Sequence, residues 1–417
     1  MRMLTNPLLL LIRVLLLTLL SLPAATLLAQ PAPNLIRSYQ GPASLGWAVA
    51  DIADLDGDGK RDFIASALNT GQVIAYSSAQ LTPLWTATPG LNSFGRAIAS
   101  AGDVNGDGRS DVVAGAPSAG LAGQLRLLSG LDGQVLMSLT GPATSTRFGD
   151  AVSSIEDLDG DGVRELLVGA AGGSGWLHIV GADDGALIRS VQGNTAFANG
   201  AFGAGVAALR DIDRDGVEDY VVGAPGDAGG RAYVYSGASG QLLHTLAPQI
   251  AGGQFGEFFV ADAGDVDGDG TIDIYVGAYA ENNNNGAAYV FSGATGLRIH
   301  RIGGTPGEGL GPGRGIGDVD GDGLADLVVG AYTYSGAGLN QGGRVGVFSG
   351  ANLSFLMRIN GSRLNGQFGF DCVGLGDVDG DGRLDFIVAS SPANSVDLFA
   401  GVVNRAGFVD GFEADRP

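Results

Sequence analysis

Seven short acidic loops contain the side chains of this chain that are best suited to chemistry. Each loop follows the pattern Asp-x-Asp/Asn-x-Asp-Gly-x-x-Asp/Glu, whose nine positions we number from 1 to 9. Carboxylates at positions 1, 3 and 5 alternate with other residues, so a tight turn can point their oxygens at one spot, and glycine at position 6 permits that turn. Position 9 adds a last carboxylate from the strand that follows.

This donor set predicts a bound calcium ion in each loop. Calcium accepts about six to eight oxygen ligands with loose geometry, whereas zinc prefers nitrogen and sulfur and magnesium demands a stricter octahedron. The cofactor prediction is therefore up to seven Ca²⁺ ions, one per loop. The predicted side-chain ligands are Asp54, Asp56, Asp58 and Asp62; Asp103, Asn105, Asp107 and Asp111; Asp157, Asp159, Asp161 and Glu165; Asp211, Asp213, Asp215 and Asp219; Asp265, Asp267, Asp269 and Asp273; Asp318, Asp320, Asp322 and Asp326; and Asp377, Asp379, Asp381 and Asp385.

The loops are distinct from EF-hands, which begin with the same acidic pattern. An EF-hand requires a bidentate glutamate at position 12 and flanking helices. Position 12 is Ala65 in the first loop and Ala114 in the second, and strand-like sequence flanks every copy.

The acidity of the chain is mostly a property of these loops. Six loops carry four carboxylates and the second carries three, which makes 27 of the 44 acidic residues. Seven divalent ions would change the formal net charge from -21 to -7. A chain this acidic lacks the basic surface that nucleic acids and anionic membranes require, so neither is an expected partner. An acidic surface without metal is the alternative interpretation.

The loops also mark a structural repeat. Successive loops start 49, 54, 54, 54, 53 and 59 residues apart, which is long enough for four short strands and their turns. One unit reads Phe255-Gly256, the acidic loop, and then strand-like runs at 274–278, 287–293 and 297–302. The sequence therefore predicts an all-β fold, a seven-bladed β-propeller with four antiparallel strands per blade.

The two ends of the repeat predict how the ring closes. Residues 35–41 closely match the fourth strand of the third unit at 187–193, so the chain begins with an unpaired fourth strand. After the seventh loop come a second strand at 386–390 and a third at 395–401, without a convincing fourth. We expect the N-terminal strand to complete the last blade, because closure removes exposed sheet edges.

The first residues predict export. Arg2 and Arg13 precede an apolar run, and Leu28-Ala29 offers a small residue for cleavage, so residues 1–29 are predicted to be a signal peptide. An uncleaved membrane anchor is the alternative. The propeller is predicted at 30–404 and a C-terminal tail at 405–417. We expect a secreted, cell-surface or periplasmic protein without a transmembrane segment in the mature chain. The single cysteine, Cys372, excludes a disulfide framework.

The repeat resembles the FG-GAP repeats of integrin α-subunit propellers and related exported bacterial proteins. The signature is Phe-Gly, the acidic loop and then Gly-Ala-Pro, as in Phe94-Gly95 with 115–117 and Phe202-Gly203 with 223–225. The resemblance covers about residues 34–402. It departs from the pattern at Leu45-Gly46, Leu310-Gly311, Arg214 at position 4 and Glu165 at position 9. It implies a further metal ligand, the position 7 carbonyl, from Lys60, Arg109, Val163, Val217, Thr271, Leu324 and Arg383.

The same resemblance implies adhesion or ligand recognition rather than catalysis. The expected function is a calcium-stabilised binding scaffold for an extracellular protein or glycan, and not an enzyme. His178, His244 and His300 lie in third or fourth strands, where a structural role is expected, and Cys372 is expected to be a packed core thiol. The alternatives are a hydrolase or lyase housed in the propeller, and a surface or matrix protein without a dedicated ligand.

Overall fold

A computed structural model describes residues 35–336 and 338–401, so the predicted signal peptide and C-terminal tail lie outside the described residues. The described strands form seven separate four-stranded antiparallel sheets, which are the blades of a propeller. Six blades use four consecutive strands each. The predicted all-β, seven-bladed architecture is confirmed.

We number the strands in chain order. They are β1 (Leu35–Gln40), β2 (Leu45–Ile52), β3 (Asp62–Ala67), β4 (Gln72–Tyr76), β5 (Pro83–Ala87), β6 (Ile98–Gly102), β7 (Asp111–Ala116), β8 (Gln124–Leu128), β9 (Val135–Thr140), β10 (Phe148–Ile155), β11 (Glu165–Ala170), β12 (Trp176–Gly181), β13 (Leu187–Gln192), β14 (Gly205–Leu209), β15 (Asp219–Ala224), β16 (Arg231–Tyr235), β17 (Leu242–Leu246), β18 (Val260–Gly264), β19 (Asp273–Ala278), β20 (Ala287–Phe291), β21 (Arg298–Gly303), β22 (Leu310–Gly317), β23 (Asp326–Ala331), β24 (Arg344–Phe348), β25 (Phe355–Asn360), β26 (Cys372–Gly376), β27 (Asp385–Ser390) and β28 (Ser395–Phe399). Short helical turns lie at Leu68–Thr70, Glu281–Asn284 and Ser391–Ala393.

The N-terminal strand closes the ring as predicted. The seventh blade has the order β26, β27, β28, β1, and β1 pairs antiparallel with β28. Tyr39 of β1 lies opposite Val396 and is almost fully buried. The first strand of the described chain and the last are therefore paired in one blade, so neither is left without a neighbouring strand.

The hydrophobic core is divided among the seven spaces between neighbouring blades. All six residues of the second strand are buried in every blade, because each second strand is covered on both faces. Each buried cluster combines side chains from two adjacent blades; Val234 of the fourth blade, for example, shares a cluster with Tyr289 of the fifth. A blade thus has no core of its own, and the ring stabilises every member.

Glycine at two signature positions allows neighbouring blades to approach closely. A Cβ added at Gly223, near the end of β15, would lie 1.9 Å from the carbonyl oxygen of Gly256 in the next blade. The same backbone contact joins Gly115 to Gly149, where the separation would be 2.0 Å. The Phe-Gly and Gly-Ala-Pro motifs are thus two sides of one contact between blades.

The two departures from Phe-Gly keep the same role. Leu45 is fully buried at the start of β2, and Leu310 is 5% exposed at the start of β22. Leucine therefore keeps the buried position, and the first strand begins at this residue, as it does at Phe148 in the third blade. In the other four blades the strand begins several residues after the phenylalanine.

Five fourth strands are tied to the next blade by a side-chain hydrogen bond, which we call the latch. The donor occupies one register position in the fourth strand, and the acceptor is the carbonyl two residues after the third strand of the next blade. The donor–acceptor distances range from 2.6 to 2.9 Å. The pairs are Arg37–Ser78, Trp85–Gly130, Arg189–Gly237, His244–Gly293 and His300–Gly350.

Candidate metal centres

All seven acidic loops join the first strand of a blade to its second strand. The position 9 residue is the first residue of the second strand in every case, as with Asp62 in β3 and Glu165 in β11. The loops therefore lie at one end of the propeller, which we call the acidic-loop end. The Phe-Gly dipeptides precede the first strands, or in the third blade begin the strand, and lie at the other end, the Phe-Gly end.

The position 1 carboxylate organises each loop. In the first loop, the N–H groups of Gly57 and Gly59 donate to the two oxygens of Asp54 at 2.6 and 2.7 Å. The corresponding two bonds recur in the other six loops. The turn is thus shaped by its own backbone around one carboxylate.

Positions 3 and 5 each commit one oxygen to the backbone and leave the other for a ligand. In the fifth loop, Asp269 N–H donates to Asp267 Oδ1 at 3.2 Å, and Thr271 N–H donates to Asp269 Oδ1 at 2.8 Å. The same two bonds are present in all seven loops. In six loops the second oxygen of each of these aspartates takes no part in these two bonds. In the second loop, Asn105 has only one oxygen, and its Nδ2 donates to Asp107 Oδ2 at 2.9 Å.

The position 9 carboxylate is buried and connects the loop to the third strand. Asp62 is fully buried and accepts from Leu55 N–H at 2.8 Å and from Ser78 N–H at 3.0 Å. Six loops have both bonds. Glu165 differs, because only its bond from Leu158 N–H, at 2.8 Å, is formed.

Burial raises the pKa of all seven position 9 carboxyls, although backbone N–H groups partly offset the effect. The pKa values are about 6 for Asp111 and Asp219 and about 7 for the other five. Neighbouring loop carboxylates raise them further, as Asp56 and Asp58 do for Asp62. A bound cation would favour the ionised form of these groups.

The structure brings the predicted carboxylates together. In the third loop, Asp157, Asp159, Asp161 and Glu165 each offer an oxygen, and these oxygens lie within 4.8 Å of one another. The longer side chain of Glu165 therefore reaches the cluster despite its departure from aspartate. Groups of three also meet this distance, namely Asp54, Asp56 and Asp58; Asp211, Asp213 and Asp219; Asp265, Asp267 and Asp269; and Asp318, Asp320 and Asp326.

These clusters fit a hard divalent cation. The donors are carboxylate oxygens, with no histidine or cysteine in the loops, which suits calcium better than zinc. Calcium, its ligand set and the position 7 carbonyls stay predictions.

Contacts between loops were not anticipated from the sequence. Arg109 at position 7 of the second loop donates to the Asp54 carbonyl at 3.0 Å. Arg214, which has a positive φ of 65° in place of the usual glycine, donates to Thr271 Oγ1 of the next loop at 3.2 Å. The bulky position 4 residue therefore bridges two adjacent candidate centres.

The first strands line a central cavity of about 940 Å³ whose walls carry ion pairs between blades. Examples are Arg210 with Asp262 at 3.3 Å and Arg314 with Asp371 at 2.9 Å. Such pairs join residues about 50 positions apart, so no local pattern predicts them.

The histidines and the cysteine occupy structural positions. His244 and His300 are latch donors, and His178 Nδ1 lies 2.8 Å from Ser190 Oγ on the neighbouring strand. Cys372 is fully buried, and burial raises the pKa of its thiol. These surroundings agree with the structural roles expected for all four residues.

Two family models match parts of this repeat. A family model described as "FG-GAP-like repeat" matches residues 54–114, 211–276 and 265–329, and one described as "FG-GAP repeat" matches residues 315–348. The chain carries FG-GAP repeats. Each match includes at least part of a blade, and the first three begin at position 1 of an acidic loop.

Curated relatives are integrin α-subunits. The chain is 31% identical over 166 residues to integrin alpha-4 of Xenopus laevis, covering 36% of this chain and 16% of that protein. It is 30% identical over 187 residues to integrin alpha-V of Gallus gallus, covering 39% of this chain and 18% of that protein. The matched region spans less than a fifth of the length of these relatives.

Solved structures support the fold. The chain superposes on a structure titled "Crystal structure of BBS1N in complex with ARL6DN, soaked with lead" with a TM-score of 0.61 and 12% identity. The superposition covers 90% of this chain and 98% of that one. Among the described residues of the present chain, no helix combines the length and apolar character needed to cross a membrane.

Proposed function

We propose that this chain is an exported, non-enzymatic binding scaffold whose blades are each held by a calcium ion. The observation that carries the proposal is the sevenfold repetition of one acidic loop with one bonding pattern at the same point of every blade. The loops supply oxygen donors, and their buried position 9 carboxylates have raised pKa values that a cation would counteract. Calcium thereby joins the first, second and third strands of a blade.

The binding role rests on the likeness to integrin α-subunits and on the division of the molecule into two ends. The metal loops occupy the acidic-loop end, which leaves the Phe-Gly end and the loops between second and third strands for a partner. The partner is an extracellular protein or glycan, and the protein acts outside the cytoplasm, either secreted or at the cell surface.

Calcium dependence tests the scaffold. Extracellular calcium modules bind at roughly 10⁻⁴ to 10⁻³ M, so calcium at about 10 mM should stabilise the fold by about 1.4 to 2.7 kcal/mol per occupied site. We expect close to seven calcium ions per chain by elemental analysis, and a large fall in melting temperature in excess chelator. Magnesium at equal concentration is the control and should restore little stability. A melting temperature unchanged by chelator would contradict the proposal.

A further inference from the structure

Six aromatic side chains and one guanidinium form a closed circuit of contacts at the Phe-Gly end of the central cavity. Five contacts between successive rings have centroid separations of 5.2 to 6.3 Å. The Arg96 guanidinium completes the circuit, because it lies 4.2 Å from the Phe258 ring centroid and 5.2 Å from that of Trp47. We call this group the collar; in order, its members are Trp47, Phe370, Tyr332, Tyr279, Phe259, Phe258 and Arg96.

The collar is a concave aromatic surface that the fold does not require. All six rings line the central cavity and are only half-buried. None belongs to the fully buried clusters between blades, although Phe259 packs against the cluster between the fifth and sixth blades. Phe258 has a positive φ of 65°, which is a strained conformation for a bulky residue. Partly exposed aromatic rings around a cavity, accompanied by a few fixed polar groups, are typical of ligand sites.

The charged groups beside the collar are already paired. Arg96 lies 3.4 Å from Asp150, which also pairs with Arg147 at 2.7 Å. Glu257 accepts a hydrogen bond from the Tyr279 hydroxyl at 2.7 Å and interacts electrostatically with Arg147. The two guanidinium groups and the two carboxylates therefore balance in formal charge, and a charged ligand would meet no net opposite charge at these groups. A second cation would also be repelled by Arg96, which already lies over the Trp47 and Phe258 rings.

We propose that the collar binds a neutral sugar. A sugar ring offers a C–H face that packs against an aromatic ring, and hydroxyl groups that can donate to Asp150 and Glu257 and accept from Arg96. The cavity of about 940 Å³ lies within the range of small-ligand sites and has room for a short oligosaccharide. This inference deepens the proposed function and rests on its claim that the propeller is a binding scaffold.

Calorimetric titration with neutral trisaccharides tests the inference. The probes are maltotriose, cellotriose, mannotriose and chitotriose, each titrated to about 10 mM against residues 30–417 in calcium, which detects millimolar affinities. We expect at least one to bind. Phe370→Ala and Tyr332→Ala should each weaken that binding about tenfold, equivalent to about 1.4 kcal/mol. Phe355→Ala, on the outer strand β25, is the matched control and should bind as the parent does.

Tryptophan fluorescence locates the sugar. The chain has three tryptophans, and Trp47 alone belongs to the collar. Sugar binding should change the emission of the parent protein, and Trp47→Phe should abolish that change while retaining binding by calorimetry. Trp176→Phe, on β12 away from the cavity, should keep the change.

Several results would overturn the sugar site. They are the absence of binding by all four trisaccharides, binding unaffected by both collar substitutions, and tight binding of arginine amide or an oligoglucuronide in place of neutral sugars. If calcium still raises the melting temperature in such a protein, the calcium-held scaffold survives and only the sugar inference fails. If the protein binds sugar but its melting temperature does not change with calcium, the result would instead support the collar and contradict the calcium-held scaffold.

Discussion

The contact between Gly223 and Gly256 makes a quantitative prediction about how blades pack. A Cβ on Gly223 would lie 1.9 Å from the Gly256 carbonyl oxygen and 2.7 Å from its carbonyl carbon, while real Cβ atoms stay beyond 3.0 Å. The opposing strand must therefore move by more than an ångström. Gly256 cannot yield alone, because its N–H donates to the Gly277 carbonyl at 2.9 Å within its own blade.

The expected cost of Gly223→Ala follows from this overlap. Overpacking of a well-filled core costs about 1 to 3 kcal/mol, and separating two blades also disturbs the cluster containing Val221 and Ile274. Alanine recovers about 0.5 to 1 kcal/mol in a strand. We expect a net loss of about 2 kcal/mol, which in a chain of this size lowers the melting temperature by about 2 to 3 °C.

Thermal unfolding in calcium, followed by circular dichroism, measures the effect. Gly303→Ala is the control, because Gly303 is exposed at the end of β21 and its added Cβ would meet the Arg301 guanidinium, which pairs with Glu281, rather than the backbone of another blade. This control should lower the melting temperature less than Gly223→Ala does. Equal melting of Gly223→Ala and Gly303→Ala would show that the blades do not depend on close approach of the two glycines.

Two further predictions concern the acidic loops. Asp267→Asn keeps the Oδ1 acceptor for Asp269 N–H but removes a charge, and Asn105 already occupies the same position in the second loop. We expect the calcium content to fall by up to one ion, and the gain in stability for each tenfold increase in calcium concentration to fall by about 1.4 kcal/mol. An unchanged calcium dependence would argue against a site there. In excess chelator, raised folded-state pKa values of about 6 to 7 mean that the position 9 carboxyls, such as Asp62 and Asp219, favour folding below about pH 4 and lose that contribution as the pH rises through 6 to 7. Metal-free protein should therefore melt at a higher temperature at pH 5.5 than at pH 8, calcium should remove most of the difference, and the opposite order in chelator would refute the assignment.

The repeat made the ring and the position of the acidic loops predictable from sequence. The seven loops recur at nearly constant spacing, and the match between residues 35–41 and 187–193 identified the closing strand. These features are local patterns that each blade repeats. The sequence also predicted which residues occupy position 9. It did not predict that their side chains are buried, because this burial depends on the third strand of the blade.

Contacts between blades could not be predicted in the same way. The latch uses arginine, tryptophan or histidine at one register position, so its members share a role without sharing a residue type. Most of the collar uses two repeat positions without a shared residue type: Trp47, Arg96 and Phe370 follow the dipeptide that opens a blade, whereas Tyr279 and Tyr332 follow the second strand. Only the closed ring brings these residues together.

In five blades, one residue after the third strand links the acidic loop of that blade to the latch of the preceding blade. Gly293 N–H donates to Asp273 of the fifth loop at 3.2 Å, and the Gly293 carbonyl accepts from His244 at 2.7 Å. A change in the fifth loop should therefore alter the contribution of His244 to stability.

A double-mutant cycle tests this link. Asp267→Asn and His244→Ala should show a coupling of at least about 0.5 kcal/mol in calcium, measured by urea unfolding. His300→Ala is the matched control, since its acceptor, Gly350, is bonded to Asp326 of the sixth loop. Its effect should add to that of Asp267→Asn within about 0.3 kcal/mol. Additivity in both cycles would show that the loops stabilise each blade independently, whereas coupling confined to His244 would show that the candidate calcium sites also hold one blade to the next.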